Sequence, residues 1–170
     1  MPHGFTLAPV ILSLEIQVKT PLLLRIASIL SLLLAAGHTA GGFSFWSPEG
    51  ETEVLRAMRS FHFDIAGVSR SYLDFYLGFG FINSIYLLVQ AVVLWQLASM
   101  AQVDPIRVRP LVGSFFVASA ASAFLAWKFI FAVPVVSFAA IAACLGMAFH
   151  AAGKSNRDEP FMRPMGQSKR

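Results

Sequence analysis

The groups from which this chain could build a reaction centre or a binding site are His38, His62, Asp64, Arg70, Tyr72, Asp74, Tyr76, Asn83 and Gln90. His38 with His62-x-Asp64 supplies the nitrogen and oxygen donors that a metal ion takes. The spacing fits no closed metal motif, and no bound metal is expected. A histidine beside a carboxylate is equally the pair that general acid–base catalysis uses. A third reading makes the same residues a hydrogen-bonded cluster that docks a surface segment, because polar groups taken out of water seek partners. The glycine-rich run Gly37-His-Thr-Ala-Gly-Gly42 has neither the lysine of a phosphate-binding loop nor dinucleotide-fold spacing, so it reads as a helix stop and turn. Cys144 is the single cysteine, which excludes an internal disulfide and any cysteine-rich metal site. It reads as a small packing residue. The cofactor, if any, is unknown from these motifs.

Most of the candidates fall in one stretch, Arg70-Ser-Tyr-Leu-Asp-Phe-Tyr-Leu-Gly-Phe-Gly-Phe-Ile-Asn83, which opens the longest apolar run and leads on to about Leu97. Polar side chains in such a run are costly in hydrocarbon and so face protein or mark function. At about 100° per residue, Arg70, Asp74, Gly78, Ile85 and Gln96 fall on one side of a helix, and Tyr72, Tyr76, Asn83 and Gln90 fall nearly opposite. Two opposed polar stripes predict protein neighbours on both sides. Arg70 and Asp74 are predicted to pair at the helix entrance at i,i+4. Asn83 and Gln90, near mid-helix, suit interhelical hydrogen bonds.

The elements that would position these groups are set by composition. Of the 170 residues, 56% are hydrophobic and 13% charged, against about 25% charged in a soluble domain. The expected fold is all-α, an integral membrane four-helix bundle with a short amphipathic surface helix between the first and second spans. The spans are predicted at about 21–36, 71–97, 110–126 and 129–150, within one domain of residues 20–150. Thr20-Pro21 reads as a cap and first helical residue. Ser47-Pro48 reads as the start of the surface helix, whose stripe is Val54, Met58, Phe61 and Ile65. Residues 1–19 alternate apolar and polar from Leu12 to Lys19 and are read as an irregular or interfacial arm. The first span is expected to be retained, since the preceding segment makes a poor signal-peptide n-region. Ser114-xxx-Ala118-xxx-Ser122 and Ala140-xxx-Cys144-xxx-Ala148, with Ala142-xxx-Gly146, predict a close antiparallel hairpin of the last two spans. A tight connection is expected at Trp127-Lys128. Residues 151–170 form a basic tail without periodicity, expected to be disordered and cytoplasmic.

The chain resembles a family of small four-helix bacterial membrane proteins without an assigned function. The resemblance covers roughly residues 20–150. It is carried by Gly37-His-Thr-Ala-Gly-Gly42, Trp46-Ser-Pro48, the Met58/Phe61 segment and Arg70–Gly80. The chain is also similar to DoxX-like proteins in helix count. These likenesses imply a fold and no activity. The expected function is binding of a hydrophobic or lipid-like ligand, or of a partner membrane protein. The alternative is a small membrane enzyme using the His/Asp cluster. The lipid bilayer is the expected partner, nucleic acid is not, and self-association stays open.

Lys19, Arg25, Arg107, Arg109, Lys154, Arg157, Arg163, Lys169 and Arg170 would share one side of the membrane, and only Arg56, Arg59, Arg70 and Lys128 the other. The positive-inside rule then puts both termini in the cytoplasm of a bacterial inner membrane. A reporter fused after Arg170 is expected to be active in the form that works in the cytoplasm. Activity only in a periplasm-dependent form would reverse this topology.

Overall fold

A computed structural model describes residues 8–47 and 49–154. Helix α1 covers Ala8–Gly42, α2 Glu53–Ser60, α3 Tyr72–Met100, α4 Pro105–Phe129 and α5 Ala132–Lys154, with a hairpin of β1 (His62–Ile65) and β2 (Val68–Ser71) before α3. The chain is therefore mostly helical. The four long helices are apolar and long enough to cross a bilayer, at Lys19–Gly42, Tyr72–Met100, Pro105–Phe129 and Ala132–Lys154. A short helix stands between the first and second of them, as expected. A helix satisfies its backbone groups within the segment, which is what hydrocarbon requires.

Several boundaries differ from the sequence reading. Residues 8–19 are not an irregular arm but the start of α1. Their alternation has no partner strand, so only a helix can pair their backbone groups locally. Pro21 consequently lies inside α1 instead of opening it. The helix also runs through the glycine-rich segment to Gly42. Helix α2 is capped by Thr52, whose side chain accepts from the Leu55 N–H, and not by Ser47. Its buried residue is Leu55, while Val54 is 68% exposed and Phe61 and Ile65 lie beyond the helix. Asp104 caps α4 through the N–H groups of Ile106 and Arg107, which moves the start of that span back from Pro110 to Pro105. Trp127 and Lys128 stay helical, and Ile130-Phe131 makes the connection. Residues 151–154 complete α5, and the remainder of the expected tail lies outside the described residues.

By internal contacts the chain divides into two compact units. One is Ile29–Val92, and the other comprises the described parts of Met1–Ser28 and Val93–Arg170. In the second unit α4 and α5 pack extensively. Val108, Val112, Ser119 and Ala126 of α4 and Ile141, Leu145, Ala148 and Ala152 of α5 are buried. Of the expected small-residue stripes, Ala142 and Ala148 of α5 are buried, while on α4 Ser122 is half-buried and the exposed Ser114 and Ala118 line a groove beside the contact. The close approach comes from glycines. A Cβ on Gly113 would lie 3.1 Å from the Phe149 ring, one on Gly146 3.2 Å from the Phe116 ring, and one on Gly153 3.1 Å from the Arg109 guanidinium. Arg109 also stacks 4.2 Å from the Phe149 centroid and donates through Nε to the Phe149 carbonyl. In each contact a large side chain of one helix sits in a glycine notch of the other, with partners running in opposite directions, so the pair is antiparallel.

Gly146→Leu is expected to overpack this contact and cost about 1–3 kcal/mol. Ala121→Leu, at an exposed position outside the groove between the two helices, should change thermal stability in detergent little. Equal effects of the two substitutions would show that the glycine notches do not set the packing.

Candidate functional site

The predicted site residues separate into two groups, both within residues 29–92. The first is built around His38 on α1. Its Nδ1 lies 2.9 Å from Ser84 Oγ and its Nε2 lies 3.3 Å from the Asn83 amide nitrogen, both on α3. Ser84 donates its own proton to the Gly80 carbonyl, so it accepts from His38 Nδ1–H. The Nε2 lone pair then accepts from the Asn83 amide. Seven residues earlier on α1, Ser31 accepts a 3.0 Å hydrogen bond from Gln90, which stands seven residues after Asn83 on α3. The two polar bridges are thus two helical turns apart in an antiparallel arrangement. Asn83 and Gln90 serve as the interhelical ties expected of them.

Trp46 locks this seam from above. After Gly42 the chain turns back with Phe45 and Trp46 in the left-handed region, at φ 55° and 49°. The Phe45 and Trp46 N–H groups close onto the Gly42 and Gly41 carbonyls. The indole N–H donates to the His38 carbonyl at 2.9 Å, and the ring lies 5.1 Å from the imidazole, 5.3 Å from Phe81 and 5.8 Å from Tyr76. A Cβ on Gly41 or Gly42 would come within 2.9 Å of the indole, and one on Gly80 would overlap it. Gly41, Gly42 and Gly80 therefore make the slot that the ring fills.

The second group lies on the hairpin. His62, Asp64 and Arg70 are all exposed. His62 Nδ1–H donates to the Ser60 carbonyl, and Arg70 donates to the Ser69 carbonyl. Arg70 is in β2 and makes no salt bridge with Asp74, so the predicted i,i+4 helical pair is absent, although the Arg70 and His62 charges still act on the Asp74 carboxylate through space. Asp74 instead accepts from the Ser71 N–H and hydroxyl, and its own N–H donates back to Ser71 Oγ. That is a reciprocal capping box on the first turn of α3. Tyr72 packs on Phe63 at 5.1 Å. His62 and Arg70 lie within electrostatic reach of Asp74, but among the described residues His38 makes no contact with His62, Asp64, Arg70, Tyr72 or Asp74. Two features account for this. The strands carry the hairpin residues on their own surface, and the cap consumes the carboxylate. No group of three or more His, Cys, Asp and Glu residues stands together among the described residues.

Among the described residues, the stripe of Arg70, Asp74, Gly78, Ile85 and Gln96 also lacks its predicted neighbour. Ile85 is 61% exposed, Gln96 is exposed, and Gly78 has no atom within 4 Å of an added Cβ. The inward positions of α3 in this unit are Leu73, Ser84, Leu87 and Ala91. The charged and amide groups of that stripe suit the helix ends, so the wheel counted them as a buried face in error.

Ser84, His38 and Asn83 contain the group types of a nucleophile–histidine–amide arrangement. The geometry does not operate as one. Ser84 is only 7% exposed and its proton is committed to the Gly80 carbonyl. Neighbouring backbone N–H groups are within α3, and among the described residues no carboxylate contacts His38. What remains open is the outer edge of Asn83. Its side chain is exposed, and among the described residues its carbonyl oxygen meets no donor. Phe79 and Tyr86, at i−4 and i+3, flank it at 68% and 69% exposure, with Tyr76 one turn further along the same face. Tyr86, Trp46, Ser31 and Ser84 were not among the predicted residues. The Phe79/Asn83/Tyr86 spacing is the one signal that could have exposed this face.

In the other unit, a shallow groove between α4 and α5 is lined by Gly113, Ser114, Phe116, Val117, Phe149 and His150. None of the predicted site residues lines it. No protein-family model, characterised protein or solved structure matches the chain.

Gly80→Ala is expected to displace the indole and lower stability by about 1–3 kcal/mol. Gly78→Ala, two residues away with open space, should be neutral or stabilise by up to about 1 kcal/mol. Thermal unfolding of the two variants checks the slot. A Gly80→Ala protein as stable as wild type would remove it.

Proposed function

We propose that this multi-pass membrane protein binds a small lipid-like molecule on the face of α3 that carries Asn83. The observation that carries the reading is the exposed amide among apolar residues, with its carbonyl oxygen unpaired and large aromatic rings on both sides. A polar group facing hydrocarbon without a partner is costly. A ligand with a hydroxyl or N–H donor and an apolar ring or chain would satisfy the oxygen and cover Phe79 and Tyr86. Such a mix of aromatic walls and few polar groups is usual for small-molecule sites. His38 holds the Asn83 amide nitrogen, so the oxygen is aimed before a ligand arrives. The resemblance to the four-helix bacterial family and the basic-residue bias support a bacterial inner-membrane location with both termini cytoplasmic. The enzyme reading has weaker support, because His38 is engaged by Ser84 and Asn83 and, among the described residues, by no carboxylate.

Native mass spectrometry of the purified protein tests this. The wild type is expected to carry a bound small molecule of defined mass. Asn83→Ala should lose it while staying folded, at a stability cost of about 0.6 kcal/mol for the interhelical hydrogen bond to His38. A wild-type protein without adduct, running as an oligomer that Asn83→Ala dissociates, would show that the amide seals a protein contact instead.

A further inference from the structure

The hairpin before α3 has two unlike faces. Its register pairs Phe63 with Arg70 and Ile65 with Val68, and pairs His62 with Ser71 and Asp64 with Ser69. Directly opposed residues share a face. One face is therefore Phe63, Ile65, Val68 and Arg70, and the other is His62, Asp64, Ser69 and Ser71. Ala66 and Gly67 both have positive φ, as a two-residue I′ loop requires, which fixes that register. The apolar face continues onto α3. Phe63 packs on Tyr72 at 5.1 Å and on Phe75 at 5.2 Å, and Phe75 meets Phe79 at 5.9 Å. Ile65, Val68 and these rings are exposed apart from the half-buried Phe63.

Arg70 is the one charged group on this face, and it stands at the end of a membrane-length helix that begins at Tyr72. Its only bond to protein among the described residues is one donor to the Ser69 carbonyl, which leaves most of the five guanidinium donors free. Asp64 points to the other face, and the Asp74 carboxylate, though within electrostatic reach of Arg70, takes its hydrogen bonds from Ser71 and none from the guanidinium. A cation above an aromatic, apolar strip at the head of a membrane helix matches a phospholipid, with a phosphate for the guanidinium and an acyl chain for the rings. We propose that Arg70 binds the headgroup phosphate of a bilayer phospholipid whose acyl chain lies along Phe63, Tyr72 and Phe75. This site does not depend on Asn83.

The full-length protein in detergent would be titrated with dioleoyl phosphatidylglycerol and, separately, with dioleoylglycerol, which lacks the phosphate, and read by native mass spectrometry. Wild type is expected to hold its tightest phosphatidylglycerol about tenfold more strongly than Arg70→Gln does, the loss of a charge-assisted contact. Dioleoylglycerol should bind both proteins alike, and Asn83→Ala should keep the phosphatidylglycerol preference. Excess inorganic phosphate should compete poorly, since it has no chain to lie on the rings. Equal affinity of wild type for the two lipids would overturn the proposal whatever the variant does. So would Arg70→Gln with unchanged phosphatidylglycerol affinity, or with a changed oligomeric state in place of lost lipid. Full competition by inorganic phosphate would show an anion site that does not read lipid.

Discussion

The fit of Trp46 between three glycines is the constraint on which the Ile29–Val92 unit depends. A left-handed conformation at two successive aromatic residues costs about 1–2 kcal/mol each. The chain adopts it because only that turn carries the indole back over α1 and onto Gly80. There the ring meets three partners and its N–H finds a carbonyl at the level of His38. The indole and the imidazole thus fix each other, and the imidazole fixes Asn83. The polar seam is held from its loop end, and its geometry does not rely on the helices alone.

Amides and hydroxyls between apolar helices are modest contributors, about 0.6 kcal/mol each on average in membrane proteins. The bridges at His38 and Gln90 are therefore better understood as setting register than as supplying stability. Each donor meets one acceptor, so sliding α1 by a turn in this unit would leave polar groups facing hydrocarbon. Among the described residues of this unit, the Asn83 side-chain oxygen meets no donor, and neither does that of the half-buried Gln90. The amide nitrogens tie the seam, and the exposed Asn83 oxygen is left within reach of a molecule outside it.

The membrane class and the four spans were legible in the sequence because hydropathy and length decide them with little help from packing. The capping box was legible too, in Ser71-x-x-Asp74, but the i,i+4 spacing of Arg70 and Asp74 offered a competing explanation. Choosing between them needed the knowledge that Arg70 belongs to a strand. The hairpin left a faint trace in the alternation from His62 to Ser71 about Ala66-Gly67, too short to separate from a helix end. The glycine slot left none that a single sequence can reveal. A glycine near a helix end predicts a stop, and only the position of Trp46, folded back over it, shows a notch. The same holds for α4 and α5. The small residues repeat at several offsets, and the structure uses Gly113, Gly153 and, of the expected stripes, Gly146 at the closest approach, while Ser114 and Ala118 only line the groove beside it.

The three notches between α4 and α5 bear on motion. Each large side chain lies opposite a glycine only at the present offset. A displacement by one helical turn, about 5.4 Å, would bring Phe149 and Phe116 against positions that carry side chains. Intermediate offsets would press rings on backbone. A packed contact of this kind has discrete states and does not creep. Gradual sliding of α4 along α5 is opposed by the same notches that bring the two helices together.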